Sequence, residues 1–413
     1  MTQILSIPGL TELQKRTKGS SDITVAVLDG VVDTNHPCFQ GANLTRLPTL
    51  VQHQATAGQM STHGTHIASL IFGQPKTELE GIAPNCRGLL APVFADDNRK
   101  LSQLDLARAI EQAAENGAQV INISGGALTD MGEAEDWLDR AVQMCSQRNI
   151  LLVAAAGNDG CDCLHVPAAL PAVLAVGATD ARGHPLDFSN WGETYQSQGI
   201  LAPGENILGA KPGGGTLSLS GTSFAAPIMT GVVALLLSLQ VQRGEEANPQ
   251  AVRQALLESA LPCKFAQTEN GRKCLAGVLN IPGAIEKLTG ETMTDSIETQ
   301  EMVEASGCGC DGTPETSKAP IKAQQESETL EVVAAGVAAS EEQQTLTSTT
   351  ANQTPVNPII TQGATVPETN LTTSNPITPS QSAEPAGGIV YAIGTLGTPL
   401  HDQSPIPLTP SLP

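Results

Sequence analysis

The chain has 413 residues, a formal net charge of −21 and 40% hydrophobic residues, with aromatics at only 2%. That length holds two ordinary domains or one large domain plus further sequence, and its core must be packed mainly from Val, Ile, Leu and Ala. Fifteen acidic residues against two basic ones from Glu291 onward put thirteen of the net negative charges in the last third. A chain without clustered Lys and Arg is not built to hold phosphates, so nucleic acid is excluded as an expected partner.

The first residues, MTQILSIPGLTELQKRTKG, lack a basic start followed by a long apolar core and do not read as a secretory signal. The apolar runs read as too short to cross a bilayer, so no membrane partner is expected and the protein is assigned to the cytoplasm. The nine cysteines are then expected to be reduced thiols. Cys161 and Cys163, like Cys308 and Cys310, are spaced C-x-C rather than the C-x-x-C of zinc sites, which argues against metal. Whether Cys263 and Cys274 pair across the polar loop between them stays open.

Along the chain, ITVAVLDG (Ile23 to Gly30) is a buried-strand run ending in an acidic residue and a glycine. LSQLDLARAIEQAAENGA has apolar residues at helical spacing and stops at Asn116-Gly117. VINIS (120–124) predicts a strand, residues 133–148 a helix, and ILLVAAAGN (150–158) and AVLAVGA (172–178) two more strands. Helix alternating with strand predicts an α/β fold with a mostly parallel sheet covered on both faces. Chemistry in such sheets collects at the carboxyl ends of the strands, where Asp29, Ser124 and Asn158 all stand.

Residues 1–290 form the expected folded domain. Residues 291–387 are acidic and rich in Thr, Pro and Ser, too poor in apolar residues to offset the entropy of ordering, and read as a disordered linker. Residues 388–413, beginning with GIVYAIGTLG, read as the remnant of a truncated C-terminal domain or a tail.

Three stretches carry candidate chemistry. AVLDG places Asp29 at a strand end, STHGTHIA places His63 at the start of a helix, and GTSFAAP puts Ser223 at the start of another. A serine hydroxyl is a poor nucleophile until a base takes its proton, and an imidazole base needs a carboxylate to fix its tautomer. Taken singly, Asp29 and Ser223 also suit helix caps, and Asn158 suits a turn. Pro227 is read as lying in the first turn of its helix, where proline is tolerated. His66 is read as a packing residue, since the pattern HExxH is absent.

With these three motifs in the order Asp, His, Ser, the sequence resembles the subtilisin-type serine proteases over about residues 20–285. The resemblance implies a three-layer subtilisin-like fold with catalytic Asp29, His63 and Ser223. It further implies an oxyanion-binding Asn158 in AAAGND, helped by the Ser223 N–H. It makes Ser124, Gly125 and Gly126 the segment that pairs with a peptide substrate, where small residues admit a peptide backbone. Only 28 residues precede Asp29, so neither a signal nor a long propeptide is expected. SLIFGQPKTELEGIAP lacks the Asn-rich calcium loop of many relatives, which argues against calcium, and no other cofactor is implied.

IPGL, VAVLDGVVDTNHPCFQGANLT and YAIGTLG resemble more closely the cyanobactin-pathway proteases, which process ribosomally made precursor peptides. One type there removes the leader; a sibling macrocyclises, using a helical insertion between its Asp and His motifs that excludes water. His63 follows Asp29 by 34 residues, too few for that insertion, so the resemblance implies a leader-removing hydrolase. Its expected partners are the precursor peptide and other enzymes of that maturation pathway. A general intracellular protease, a macrocyclising relative and a peptide-binding pseudoprotease are the alternatives.

Overall fold

The computed structural model describes residues 7–97, 100–263 and 269–292. The expected linker from residue 293 onward, the 388–413 stretch, Cys308 and Cys310 lie outside the described residues.

Seven strands form one parallel sheet: β1 (Thr24–Gly30), β2 (Leu44–Arg46), β3 (Arg87–Phe94), β4 (Val120–Ile123), β6 (Leu151–Ala155), β8 (Leu174–Thr179) and β9 (Gly199–Pro203). Their order is β2-β3-β1-β4-β6-β8-β9, with every ladder parallel. Alternate residues of each central strand serve opposite faces. Val25 and Val27 join the core under α2 (Gln59–Phe72) and α6 (Thr222–Gln242), while Ala26 and Leu28 meet α3 (Gln103–Glu115) and α4 (Asp136–Gln147). Both faces of the sheet are therefore covered, which is why these strands read as unbroken apolar runs rather than as alternating patterns.

The chain leaves β1 toward β3 on one side and leaves β4 toward β6 on the other. Connections that diverge from neighbouring strands open a crevice at their carboxyl ends. Asp29 and Ser124 flank that crevice, and Asn158 follows β6 one strand further on.

Around this frame lie α1 (Leu10–Arg16), α5 (Glu193–Gln198), α7 (Pro249–Ser259) and α8 (Ile281–Thr289). Two antiparallel pairs complete it: β5 (Ala127–Thr129) with β7 (Leu164–Val166), and β10 (Ile207–Ala210) with β11 (Thr216–Leu219). Sequence periodicity gave no warning of these short pairs.

Three expectations need correction. By length and composition α6 would pass as a membrane span, contrary to the reading that every apolar run is too short, but 18 of its 21 residues are buried in the core. Pro227 is the sixth residue of α6, in its second turn, so the N–H that would bond the Ser223 carbonyl is missing.

The cysteines are not all reduced: Cys161 pairs with Cys163 and Cys263 with Cys274. Their Cα separations, 5.1 and 5.8 Å, fall in the range a disulfide spans. A compartment argument says nothing about which sulfurs the fold brings together. Cys38, Cys86 and Cys145 are free and buried, and burial raises all three thiol pKa values.

Candidate active site

The end of β1 and the second turn of α2 touch backbone to backbone. A Cβ on Gly30 would lie 1.8 Å from the Met60 carbonyl oxygen, and one on Gly64 would lie 2.4 Å from the Gly30 oxygen. No side chain larger than hydrogen fits at this crossing. It delivers Asp29 and His63, the neighbours of these glycines, to each other: His63 Nδ1 donates to Asp29 Oδ1 at 2.7 Å, and the same oxygen accepts the Gly30 N–H at 2.7 Å. Both side chains are buried. An imidazole held this way keeps its proton on Nδ1 and leaves Nε2 as the base.

His63 is the fifth residue of α2, one turn further in than the sequence implied. The helix begins where it does because Asp96, just after β3, caps it. Asp96 Oδ1 accepts from the N–H groups of Met60 (2.8 Å) and Ser61 (3.0 Å), and Oδ2 accepts from Ser61 Oγ (2.6 Å). Burial raises the Asp96 pKa, but the hydrogen bonds from Ser61, Thr56 and Met60 outweigh it and leave the carboxylate below its usual range. A cap supplied from 36 residues away leaves no local signal.

Ser223 is the second residue of α6, in the turn whose N–H groups have no intrahelical acceptor. Phe224 packs on the His63 ring at 5.3 Å between centroids, so the serine and the imidazole belong to one site. Ser223 Oγ, however, donates to the Ser124 carbonyl at 3.0 Å. His63 Nε2 is buried and finds no hydrogen-bond partner among the described residues. Of the two links in the expected relay, the carboxylate–imidazole link is formed, and the hydroxyl is turned to β4 instead.

Asn158 Oδ1 accepts from both the N–H (2.9 Å) and the Oγ1–H (3.0 Å) of Thr222. Two donors on the oxygen determine which end of the amide is which, so the NH₂ end is the one that can donate. Thr222 had no assigned role in the sequence reading, although it sits inside GTSFAAP.

Ser124 is tied into the core: Asn122 Nδ2 donates to its Oγ (2.9 Å) and Thr230 of α6 donates to Asn122 Oδ1 (2.9 Å). A Cβ on Gly125 would meet the Phe94 ring at 2.8 Å, and one on Gly126 the Val166 oxygen at 2.9 Å. Packing inside the protein therefore requires both glycines, whatever approaches from outside.

His66 lies fully buried against Phe224 (4.7 Å, edge-on), its Nε2 donating to the Ile207 carbonyl at 3.0 Å, as a packing residue should. Burial pushes its pKa down to about 3, against the pull of the Ile207 carbonyl and helped by the nearby His63. The unfolded chain takes up a proton near pH 6.5, whereas the folded one does not until about 3. This contribution to stability is thus complete above 6.5 and is lost as pH falls toward 3. Between pH 7 and pH 5 it removes about 2 kcal/mol. Urea unfolding at the two pH values, in the parent and in His66→Gln, should show the drop in the parent and its absence in the variant.

Among the described residues no group of three or more His, Cys, Asp or Glu could hold a metal ion. Side-chain donors hold the connection after α2. Gln74 Nε2 donates to the Phe72 and Pro84 carbonyls (both 2.9 Å), Thr77 Oγ1 to those of Gln74 (2.7 Å) and Leu79 (3.0 Å), and Gln14 to that of Ile82 (3.1 Å).

Comparison with known proteins gives concordant matches. Residues 20–295 match the peptidase S8 profile, the subtilase family. Among curated proteins, the thermophilic serine proteinase of Bacillus sp. (strain AK1) is 35% identical over 246 residues, 59% of this chain and 58% of that protein. Subtilisin-like protease 1 of Arthroderma gypseum is 33% identical over 57% of this chain and 47% of its own length, so the chain spans about half the length of these relatives.

Among solved structures, the prenylagaramide maturation protease PagA is 64% identical (TM-score 0.66; 69% of this chain, 100% of that one). The patellamide maturation protease PatA is 67% identical (TM-score 0.62; 66% and 99%). The PatG macrocyclase in complex with peptide is 38% identical (TM-score 0.66; 69% and 97%).

Proposed function

The chain belongs to the subtilase family, and from that premise we propose that it is a serine endopeptidase that removes the leader from ribosomally made cyanobactin precursor peptides. The observation that carries the chemistry is the buried Asp29–His63 bond beside a helix-borne Ser223. An extended peptide lies along Ser124 to Gly126. Ser223 Oγ leaves the Ser124 carbonyl and turns to His63 Nε2, which takes its proton as Oγ bonds to the peptide carbonyl carbon. The resulting oxyanion is held by the Asn158 amide and the Ser223 N–H. His63 then protonates the departing amine, and water activated by the same imidazole releases the acyl group. The mechanism calls on no metal or cofactor.

Two observations favour hydrolysis of the leader over macrocyclisation. Identity to PagA and PatA is 64–67%, against 38% to the PatG macrocyclase. Between β1 and α2 the chain forms only a 3-10 turn at Pro37–Phe39 and the short strand β2, with no helix to cap the site. An acyl-enzyme open on that side is open to water.

The test is to incubate the protein with a precursor peptide and with an unrelated unfolded protein, and to map cut sites by mass spectrometry. A single cut before the core peptide, with the second protein intact, supports the reading. Many cuts in both would make it a general protease, and a cyclic product would make it a macrocyclase.

A further inference from the structure

The loop carrying Asn158 is clamped by a residue that the mechanism above does not use. Asn190, in the connection between β8 and α5, is fully buried. Its N–H donates to the Gly157 carbonyl at 3.0 Å. Its Oδ1 accepts from the N–H groups of Asp159 (2.7 Å) and Gly160 (3.0 Å), and its Nδ2 donates to Asp159 Oδ2 at 2.9 Å. The fit is close: a Cβ on Gly157 would lie 2.3 Å from Asn190 Nδ2. The backbone is therefore gripped immediately before and immediately after Asn158, while Thr222 orients that residue's side chain. Asp159 is steadied in turn by His165 Nε2, 2.7 Å from its Oδ2, and His165 N–H donates to Tyr195 Oη at 2.8 Å.

A turn rich in glycine and aspartate has no strand ladder to hold it, so its backbone conformation rests on these side-chain bonds together with the Gly160 N–H bond to the Phe188 carbonyl at 2.8 Å. An oxyanion donor works only if its N–H is already aimed when charge develops, and a displacement of about 1 Å can cost on the order of a hundredfold in rate.

We propose that Asn190 is the positioning residue of the oxyanion hole, holding the Asn158 amide in register with Ser223. The inference rests on the reading of Asn158 as oxyanion donor. Asn190 acts through the loop. Its removal lowers the rate of the chemical step and leaves binding nearly unchanged.

The experiment needs no knowledge of the peptide substrate. The full chain is treated with a fluorophosphonate: Ser223 Oγ bonds to phosphorus, fluoride leaves, the hydroxyl proton passes to His63, and the phosphoryl oxygen occupies the oxyanion site. Asn190→Ala should lower the maximal inactivation rate about tenfold and leave the half-saturating concentration within about twofold. In an Asn158→Ala background, itself slower by on the order of a hundredfold, adding Asn190→Ala should change the rate by less than about twofold.

An equal loss in both backgrounds, or a loss confined to binding, overturns the proposal. Full activity of Asn158→Ala alone would instead overturn the reading of Asn158, and the proposal with it. Should circular dichroism show Asn190→Ala unfolded, Asp159→Ala removes the shared partner of Asn190 Nδ2 and His165 Nε2, keeps the Asn190 Oδ1 bonds to the backbone, and carries the same cycle. Its loss of about threefold should vanish without Asn158; an equal loss in both backgrounds overturns the proposal.

Discussion

Ser223→Ala should yield a folded protein whose turnover is reduced by roughly a million-fold, the scale found when the nucleophile of a related subtilisin is removed. Without the hydroxyl no acyl-enzyme can form, and the remaining groups can only bind substrate and polarise its carbonyl. The structural cost is small. The side chain is buried, but its bond to the Ser124 carbonyl is a neutral hydrogen bond, worth about 1 kcal/mol. Thermal unfolding of the variant should stay within a few degrees of the parent while peptide cleavage, followed by mass spectrometry, disappears. Turnover within a hundredfold of the parent would mean that Ser223 is not the nucleophile.

Gly64→Ala should be damaging in both respects. The added carbon would sit 2.4 Å from the Gly30 oxygen, and backbone on both sides leaves no flexible side chain to yield. Either α2 moves away from β1 or the strand end bends. Overpacking of this kind costs typically 1–3 kcal/mol, and a rigid backbone clash belongs at the upper end. Any separation of α2 from β1 also stretches the 2.7 Å bond between His63 and Asp29, so activity should fall by a hundredfold or more. Urea unfolding and the specific activity of the folded fraction, measured together, test both parts. A variant as stable and as active as the parent would show that the crossing is softer than its geometry implies.

What was legible in the sequence was what local pattern encodes. The buried run ending at Asp29, the helix stopping at Asn116-Gly117 and the strands before Ser124 and Asn158 all announce themselves by period and punctuation, and the structure places them as read. The motifs around Asp29, His63 and Ser223 brought the candidate site into view for the same reason. The rest depends on partners distant in sequence. Asp96 starts α2 from beyond β3, and Asn190 grips the turn at Asn158 from beyond β8. The direction of the Ser223 hydroxyl is a choice between two neighbours, each equally compatible with the residues written around it.

Because Ser223, the proposed nucleophile, begins the helix that forms the spine of the larger core, that member of the candidate site does not sit on a loosely held region. Fraying at a rim or a loop tip cannot carry α6 out of the interior, and α6 cannot leave without dissolving the sheet beneath it. Amide hydrogens along α6 should therefore exchange only in whole-molecule openings, and enzymatic death on heating should coincide with the melting of the entire domain.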